Sequence, residues 1–434
     1  MKTIQEIIKQ IEEDNNNRRL AEQKKYEELL ELQQKQKEEH QRRMKIYENK
    51  IYSNSGGDFY IDIPNDFYIT TLQNSSQLLY YSDSFHQFDL SEFLSKNIRI
   101  RDTNEVLRNG KDFFIIGNFS TSANPNDSFL VKLTNCRLKN GVYFTYTNIE
   151  YVSLSPYINY VYGSCFYKGN VYLCSRAPNT STATIIAKVN SNNINDITKL
   201  TLPSDYLTRR SSNIIAYKDN LYLLISNTGS PSYLVRVDLN LTTSETIITT
   251  GTTSVPSRRV RTASNFLVYN DEIYIPIINF QNTVPFAYWC MGMEVYDLEG
   301  VIKRKVYNQT VSSSVIPYLT NYPEPHWLGA YNDKIIISST FITSTTSNLS
   351  LIRMDVNTLF IEDSIPVNNY YSDDNSIFSN GYIYLNSEKS TVNPSFSSTP
   401  VITRIKYNDF SDKVDIKYID TGSNGSLNPT SYII

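Results

Sequence analysis

CFYKGNVYLC, residues 165–174, is an apolar strand, a tight polar turn and a second apolar strand, and the chain carries this pattern six times. The other copies are VLRNGKDFFII (106–116), AYKDNLYLL (216–224), VYNDEIYIP (268–276), AYNDKIIIS (330–338) and IFSNGYIYL (377–385). A weaker copy, ITTLQNSSQLLYY, lies upstream at 69–81. The pairs Gly169-Asn170, Asp219-Asn220, Asn109-Gly110 and Asn380-Gly381 supply residues that tolerate the positive φ of a two-residue hairpin. Tyr167, Tyr217, Tyr269, Tyr331 and Phe378 hold equivalent places just before the turns. Their separation, roughly 47–62 residues, is that of a four-stranded unit with variable loops.

A third strand follows each hairpin with the order basic, apolar, Asp, apolar and an alternation of period two. It reads FLVKLTN (129–135), IIAKVNS (185–191), YLVRVDL (233–239), MEVYDLE (293–299), SLIRMDV (350–356) and VITRIKY (401–407), with FHQFDLS (85–91) as the upstream version. Stretches such as ITKLTL, ETIITT, IKRKVY and DKVDIKY complete the units. The expected fold is therefore mainly β: a single β-propeller of about seven four-stranded blades over residues 58–434. A ring leaves few open strand edges, and either FYIDI (59–63) or the C-terminal Tyr432–Ile434 is expected to pair across its seam.

Composition narrows the function classes. The chain has 434 residues, a net charge of −3 and 40% apolar residues, enough for large cores and too balanced for bulk nucleic-acid binding. No apolar run has the length of a membrane span, and the charged MKTIQEIIKQIEED start does not read as a signal peptide. The spacing of Cys136, Cys165, Cys174 and Cys290 matches no zinc pattern. Cys165 and Cys174 are expected opposite each other across their hairpin, as two thiols rather than a bridge.

Residues 1–51 have helix composition: no Gly, no Pro and interspersed charges. Tyr26, Leu30, Gln33, Lys37, His40, Met44, Tyr47 and Ile51 recur at alternating three- and four-residue steps, the seam of a coiled coil with polar interruptions. Ile4, Ile7, Ile8 and Ile11 form a second apolar group out of phase with it, expected to dock on a partner. Residues 52–57 are the expected linker, with SNSGG at 53–57.

The candidate binding residues gather in the stretches expected to be long loops on one face. They are Tyr288, Trp289, Tyr322, His326, Trp327, Asp373 and Asp374, with Arg209, Arg210, Arg258 and Arg259. Aromatic rings with polar rims suit saccharides, and arginines suit phosphate or carboxylate groups on them. Packing between blades is the competing reading for each residue singly. No HExxH, GxSxG, Walker or GxGxxG pattern stands in a suitable context, so no catalytic residue, metal or cofactor is expected.

A helical stalk followed by one propeller resembles phage receptor-binding proteins and tail appendages, among them those of staphylococcal phages, although this chain ends at the propeller. The Asn-, Tyr-, Ile- and Lys-rich composition is similar to that of AT-rich phages, crAss-like ones included. The resemblance implies a virion protein, tail fibre or appendage that binds a host surface glycan. It implies a homotrimer, held to other virion proteins through the N-terminal helix, without nucleic acid or membrane insertion. The alternatives are a structural virion component that docks through the propeller, and a bacterial propeller scaffold or hydrolase.

Overall fold

The computed structural model describes residues 58–433, interrupted at 64–67, 73–76, 82–84, 90–98, 121–126, 142, 160, 177–182, 204–213, 226–231, 251–257, 263–264, 284–285, 310–322, 343–346, 367–369, 372–375, 380–381, 391–397, 408–409, 411–413 and 418–426. The expected stalk, its seam from Tyr26 to Ile51 and the docking residues Ile4, Ile7, Ile8 and Ile11 lie outside the described residues. The described chain is mainly β, with no helix among the described residues. It divides into two units: Met1–Asp62 with Arg137–Thr145, and Ile63–Cys136 with Tyr146–Ile434.

The larger unit contains, among the described residues, seven antiparallel sheets, numbered here in chain order. Sheet 2 is built from Arg99–Asn109, Asp112–Ser120, Asp127–Thr134 and Asn148–Ser153. Sheet 3 uses Val161–Tyr167, Asn170–Arg176, Thr184–Asn190 and Ile197–Thr201, and sheet 4 uses Ile214–Tyr217, Asn220–Ile225, Ser232–Asp238 and Ser244–Thr250. In sheet 5, Arg258–Thr262 and Leu267–Tyr269 both pair with Glu272–Thr283, followed by Phe286–Asp297 and Ile302–Gln309. Sheet 6 is Pro323–Tyr331, Lys334–Ile342, Ser347–Asp355 and Ile361–Pro366. Sheet 7 repeats the broken first strand, with Tyr370–Tyr371 and Ser376–Ser379 on Tyr382–Ser390, then Ser398–Lys406 and Val414–Lys417.

Sheet 1 differs from the reading of its sequence. The hairpin Tyr68–Leu72/Gln77–Tyr81 supplies its second and third strands, and Phe85–Asp89 its fourth rather than its third. The first strand comes from the other end of the chain: Leu427–Ile433 pairs antiparallel with Tyr68–Leu72. That strand also lies against Arg99–Asn109 of sheet 2 and Tyr382–Ser390 of sheet 7. FYIDI takes no part in this seam, because Tyr60–Asp62 pairs with Arg137–Lys139 in the smaller unit.

The period-two pattern explains how successive sheets stack. Along Asn170–Arg176, Val171 and Leu173 pack with Phe114, Ile116 and Leu130 of sheet 2. The alternate residues Tyr172 and Cys174 pack with Leu221, Leu223 and Val235 of sheet 4. The same exchange joins sheet 4 to 5 through Tyr222 and Ile273, sheet 5 to 6 through Tyr274 and Ile337, and sheet 6 to 7 through Ile336 and Ile383. A strand buried on both faces reads as a continuous apolar run, which is why the hairpins stand out in the sequence. Full burial of such side chains is worth roughly 1.5–3 kcal/mol each.

Polar bonds repeat along the same steps. The Tyr172 hydroxyl donates to Leu239 O in the next sheet (3.1 Å), Arg236 Nη1 to Leu298 O (3.3 Å) and Arg353 Nη1 to Tyr407 O (3.4 Å). The hairpin turns meet as well: Lys168 Nζ lies 2.5 Å from Asp219, and Lys218 Nζ lies 2.7 Å from Asp271. The central turn residues are Lys168-Gly169, Lys218-Asp219 and Gly110-Lys111, one position from three of the pairs read in the sequence, whereas Ser379 opposes Tyr382 as the fourth pair requires. Lys168 (φ 45°) and Lys218 (φ 53°) take the left-handed conformation themselves, so turn chemistry alone does not set the register.

The aspartates of the third-strand signature are turn caps. Asp238 accepts hydrogen bonds from the backbone N–H of Asn240, Thr242 and Thr243 and from both threonine hydroxyls. Asp355 accepts from Lys334 Nζ (2.8 Å), the N–H of Asn357 and Thr358, and the Thr358 hydroxyl. Burial pushes the Asp238 carboxyl up, but the bonds from Thr243, Thr242 and Asn240 outweigh it and bring it to about 2. At Asp355 the Lys334 ammonium is the first cause, followed by Thr358, and the carboxyl again falls to about 2. Both folded values lie below the ordinary 3.8, so the stabilisation is complete above that value and is lost as pH falls through about 2. It amounts to roughly 1–2 kcal/mol each after allowance for solvent screening. We predict that Asp238→Asn with Asp355→Asn flattens the loss of stability between about pH 4 and pH 2 in urea unfolding. An unchanged acid slope counts against the caps.

Candidate binding site

Sheet 5 outgrows its neighbours. Its strands Glu272–Thr283 and Phe286–Asp297 have 12 residues each, against 9 in each matching strand of the adjacent sheet 6. The excess of three residues in each strand projects the hairpin by roughly 10 Å. Arg258–Thr262 pairs along this extension and makes it three strands wide.

The register decides which residues meet. Arg259 stands opposite Phe280, and Phe280 opposite Trp289. Arg261, Ile278 and Met291 form the next row of the same set. The intervening rows are Arg258–Gln281–Tyr288 and Val260–Asn279–Cys290. Directly opposed positions share a face of an antiparallel sheet and successive rows alternate. Trp289 therefore shares its row with Arg259, while Arg258 and Tyr288 belong to the opposite set. Tyr288, Trp289, Arg258 and Arg259 are strand residues rather than loop residues, as are His326 and Trp327 in Pro323–Tyr331. Arg209, Arg210, Tyr322, Asp373 and Asp374 lie outside the described residues. Phe280 was not among the expected site residues, whereas Arg261 belongs to the same arginine group as Arg258 and Arg259. The signal for Phe280 was the apolar run that continues from Tyr274 through Ile278.

A second feature recurs in the first strands. In sheet 2 the register slips between Thr103, opposite Gly117, and Glu105, opposite Ile116, which leaves Asn104 as a bulge. In sheet 3 it slips between Val161, opposite Ser175, and Gly163, opposite Cys174, which leaves Tyr162. In sheet 6 it slips between Pro325, opposite Ser339, and Trp327, opposite Ser338, which leaves His326. Counted from the hairpin turn, all three slips fall at the same step of the second strand, and the first strands of sheets 5 and 7 are interrupted near that level. Bulges bend a strand and re-aim its side chains, and they are frequent beside functional sites. Beside the His326 bulge, the buried hydroxyls of Ser338 and Ser339 have no hydrogen-bond partner. No sequence signal marked this level, because a bulge is a mismatch between two strands and belongs to neither alone.

One cluster of charged groups in the larger unit ties strands of sheet 5 together. Glu272, 9% exposed at the turn end of sheet 5, accepts from Lys303 Nζ (2.6 Å), the Tyr274 hydroxyl (2.7 Å) and Arg304 Nη2. Burial raises its carboxyl, but Lys303, Tyr274 and Arg304 prevail and hold it below the usual range. Burial and then Glu272 push the Tyr274 hydroxyl up. The expected facing of the cysteines is corrected: Cys165 opposes Tyr172, Cys174 opposes Gly163, and neither is in a disulfide. Among the described residues no cluster of His, Cys, Asp and Glu is placed to hold a metal ion.

Fold and site together define a mainly β protein of propeller-like build with one extended sheet. No family model matches the chain, and no curated protein matches it. Solved structures of similar build include the periplasmic gluconolactonase of Pseudomonas aeruginosa, with 7% identity over 86% of this chain and 99% of that one and a TM-score of 0.49. A puromycin-hydrolysing peptidase of Mycobacterium tuberculosis shares 10% identity over 83% of this chain and 53% of its own, with a TM-score of 0.47. An alpha-L-arabinofuranosidase of Clostridium thermocellum shares 13% over 60% of this chain and 95% of its own, at 0.35. Likeness of this size identifies no family and transfers no activity.

Proposed function

We propose that the seven sheets close as one seven-bladed propeller and that its extended fifth sheet binds a glycan bearing carboxylate or phosphate groups. The observation that carries this reading is the cross-strand row Arg259–Phe280–Trp289, flanked by Arg261. It sets aromatic positions beside two guanidinium positions on one side of a projecting sheet. Aromatic rings stack on the C–H faces of sugars, and the guanidinium fork matches an anionic substituent. Our reading of residues 1–51 adds an oligomeric stalk and a place on a phage virion, where several weak sites act together.

A glycan array with the full chain tests the site. Trp289→Ala and Arg259→Ala should each weaken binding on the order of 30-fold, as central aromatic and Arg contacts do. Tyr288→Ala, in the alternate row, should change it little. Binding untouched by Trp289→Ala sinks the assignment. Light scattering of the full chain beside residues 58–434 reads the stalk, and a monomer in both removes it from the reading.

A hydrolase is the second reading, favoured by one observation: His326 sits in a bulge at the level of Asn104 and Tyr162. Release of reducing ends from a bound glycan, abolished by His326→Ala, would establish it. Intact glycan after long incubation excludes it.

A further inference from the structure

We propose that the outer face of the small three-stranded sheet in residues 58–62 and 137–145 is a separate carbohydrate platform for an extended, neutral polysaccharide. The proposal stands on its own residues and does not rest on the fifth sheet. The strand order is Tyr60–Asp62, Arg137–Lys139, Tyr143–Thr145. Its register sets Tyr60, Lys139 and Tyr143 in one cross-strand row and Asp62, Arg137 and Thr145 in the next row of the same face. The alternate row, Ile61–Leu138–Phe144, is the inner face, with Leu138 1% and Phe144 8% exposed. On the outer face Tyr60 is 50% and Tyr143 62% exposed.

The two tyrosines are held at a fixed separation. Asn140 (φ 54°) and Gly141 (φ 74°) reverse the hairpin. Asn140 also clamps the Tyr60–Asp62 strand: its N–H donates to Phe59 O (2.7 Å), and its Oδ1 accepts from Phe59 N (3.2 Å). Tyr60 and Tyr143 flank the central strand, two strand spacings or roughly 10 Å apart. That is the length of one disaccharide unit in an extended β-linked chain, so alternate sugar rings would meet the two tyrosines.

Charge selects among partners. Lys139 Nζ lies 2.7 Å from Asp58, and Arg137 Nε lies 3.9 Å from Asp62, so the cations of this face are matched by carboxylates. A nucleic acid or an acidic surface needs an excess of positive charge, which this balance does not offer. A protein interface needs an apolar centre, and here the central strand presents Lys139 and Arg137. A neutral polyhydroxylated chain complements both properties. Its C–H faces stack on the tyrosines, and its hydroxyls meet donors and acceptors alike. An ammonium has three donors, and Asp58 takes one of those on Lys139.

Affinity electrophoresis of the full chain, in gels containing hydroxyethyl cellulose or glucomannan, tests this. The chain should be retarded in at least one gel. Tyr60→Ala and Tyr143→Ala should each weaken retention on the order of 10-fold, and the double variant should lose it. Tyr60→Phe with Tyr143→Phe keeps the rings and should retain it, as should Trp289→Ala, which separates this platform from the fifth sheet. If the double alanine variant fails to fold, the single Tyr143→Ala, at a position 62% exposed, decides the question. Free migration in both gels overturns the proposal, and so does retention unchanged by the alanines. A tyrosine-dependent rise in mass without retention also overturns it, and assigns the face to a second copy of the chain.

Discussion

Removal of residues 427–434 should abolish cooperative unfolding of the larger unit. Leu427–Ile433 is the first strand of sheet 1, paired with Tyr68–Leu72 and lying against sheets 2 and 7. Without it, Tyr68–Leu72 becomes an open edge, and the neighbouring sheets lose the element between them. A domain holds a net stability of only about 5–15 kcal/mol, and a whole strand with its ladder contributes a comparable amount. Circular dichroism melting should show a broad, non-cooperative transition. Light scattering should show aggregation through the exposed edge. A truncated protein with a sharp melt at the original temperature would mean that the seam carries no stability and that the ring reading is wrong.

Glu272→Ala should cost about 2 kcal/mol, the range found when a buried hydroxyl loses its acceptor. The substitution strips the acceptor from Arg304 and Lys303 and from the Tyr274 hydroxyl, and Tyr274 is fully buried between sheets 5 and 6. At roughly 2 °C per kcal/mol for a unit of this size, the melting temperature should fall by about 4 °C. Glu272→Gln keeps an acceptor for Tyr274 and should fall between the two. A change below about 1 °C in calorimetry would show that the cluster is not a structural tie. Glycan binding should survive, because Glu272 lies at the turn end of the strand that carries Phe280 at its other end. A loss of binding without a loss of stability would instead move the site toward the turn end of the sheet.

The candidate site was legible only in composition. Arg258, Arg259, Tyr288 and Trp289 could be picked out as unusual residues, and the structure places all four in the projecting part of sheet 5. Their grouping could not be read. Whether Trp289 meets Arg258 or Arg259 depends on a register between strands that are not neighbours in the sequence. A shift of one residue sends every position to the other face. The bulges at Asn104, Tyr162 and His326 were hidden for the same reason.

What the sequence determined by itself is local. The alternation in IIAKVNS and its relatives, the polar turns of the hairpins and the repeat between them came from interactions spanning a few residues, and they mark six of the seven sheets. The caps at Asp238 and Asp355 follow from the same short range. What only the tertiary structure decided is which distant segments pair. Leu427–Ile433 completes the first sheet, and Tyr60–Asp62 joins Arg137–Lys139 instead of the seam. Three of the hairpin turns also lie one residue from the pairs read in the sequence, with Lys168 and Lys218 turning left-handed. Short-range preferences differ by about 1 kcal/mol, and the burial of a strand on both faces outweighs them. The chain therefore writes its repeats in plain sight and leaves register and the pairing of distant strands to the cores between the sheets.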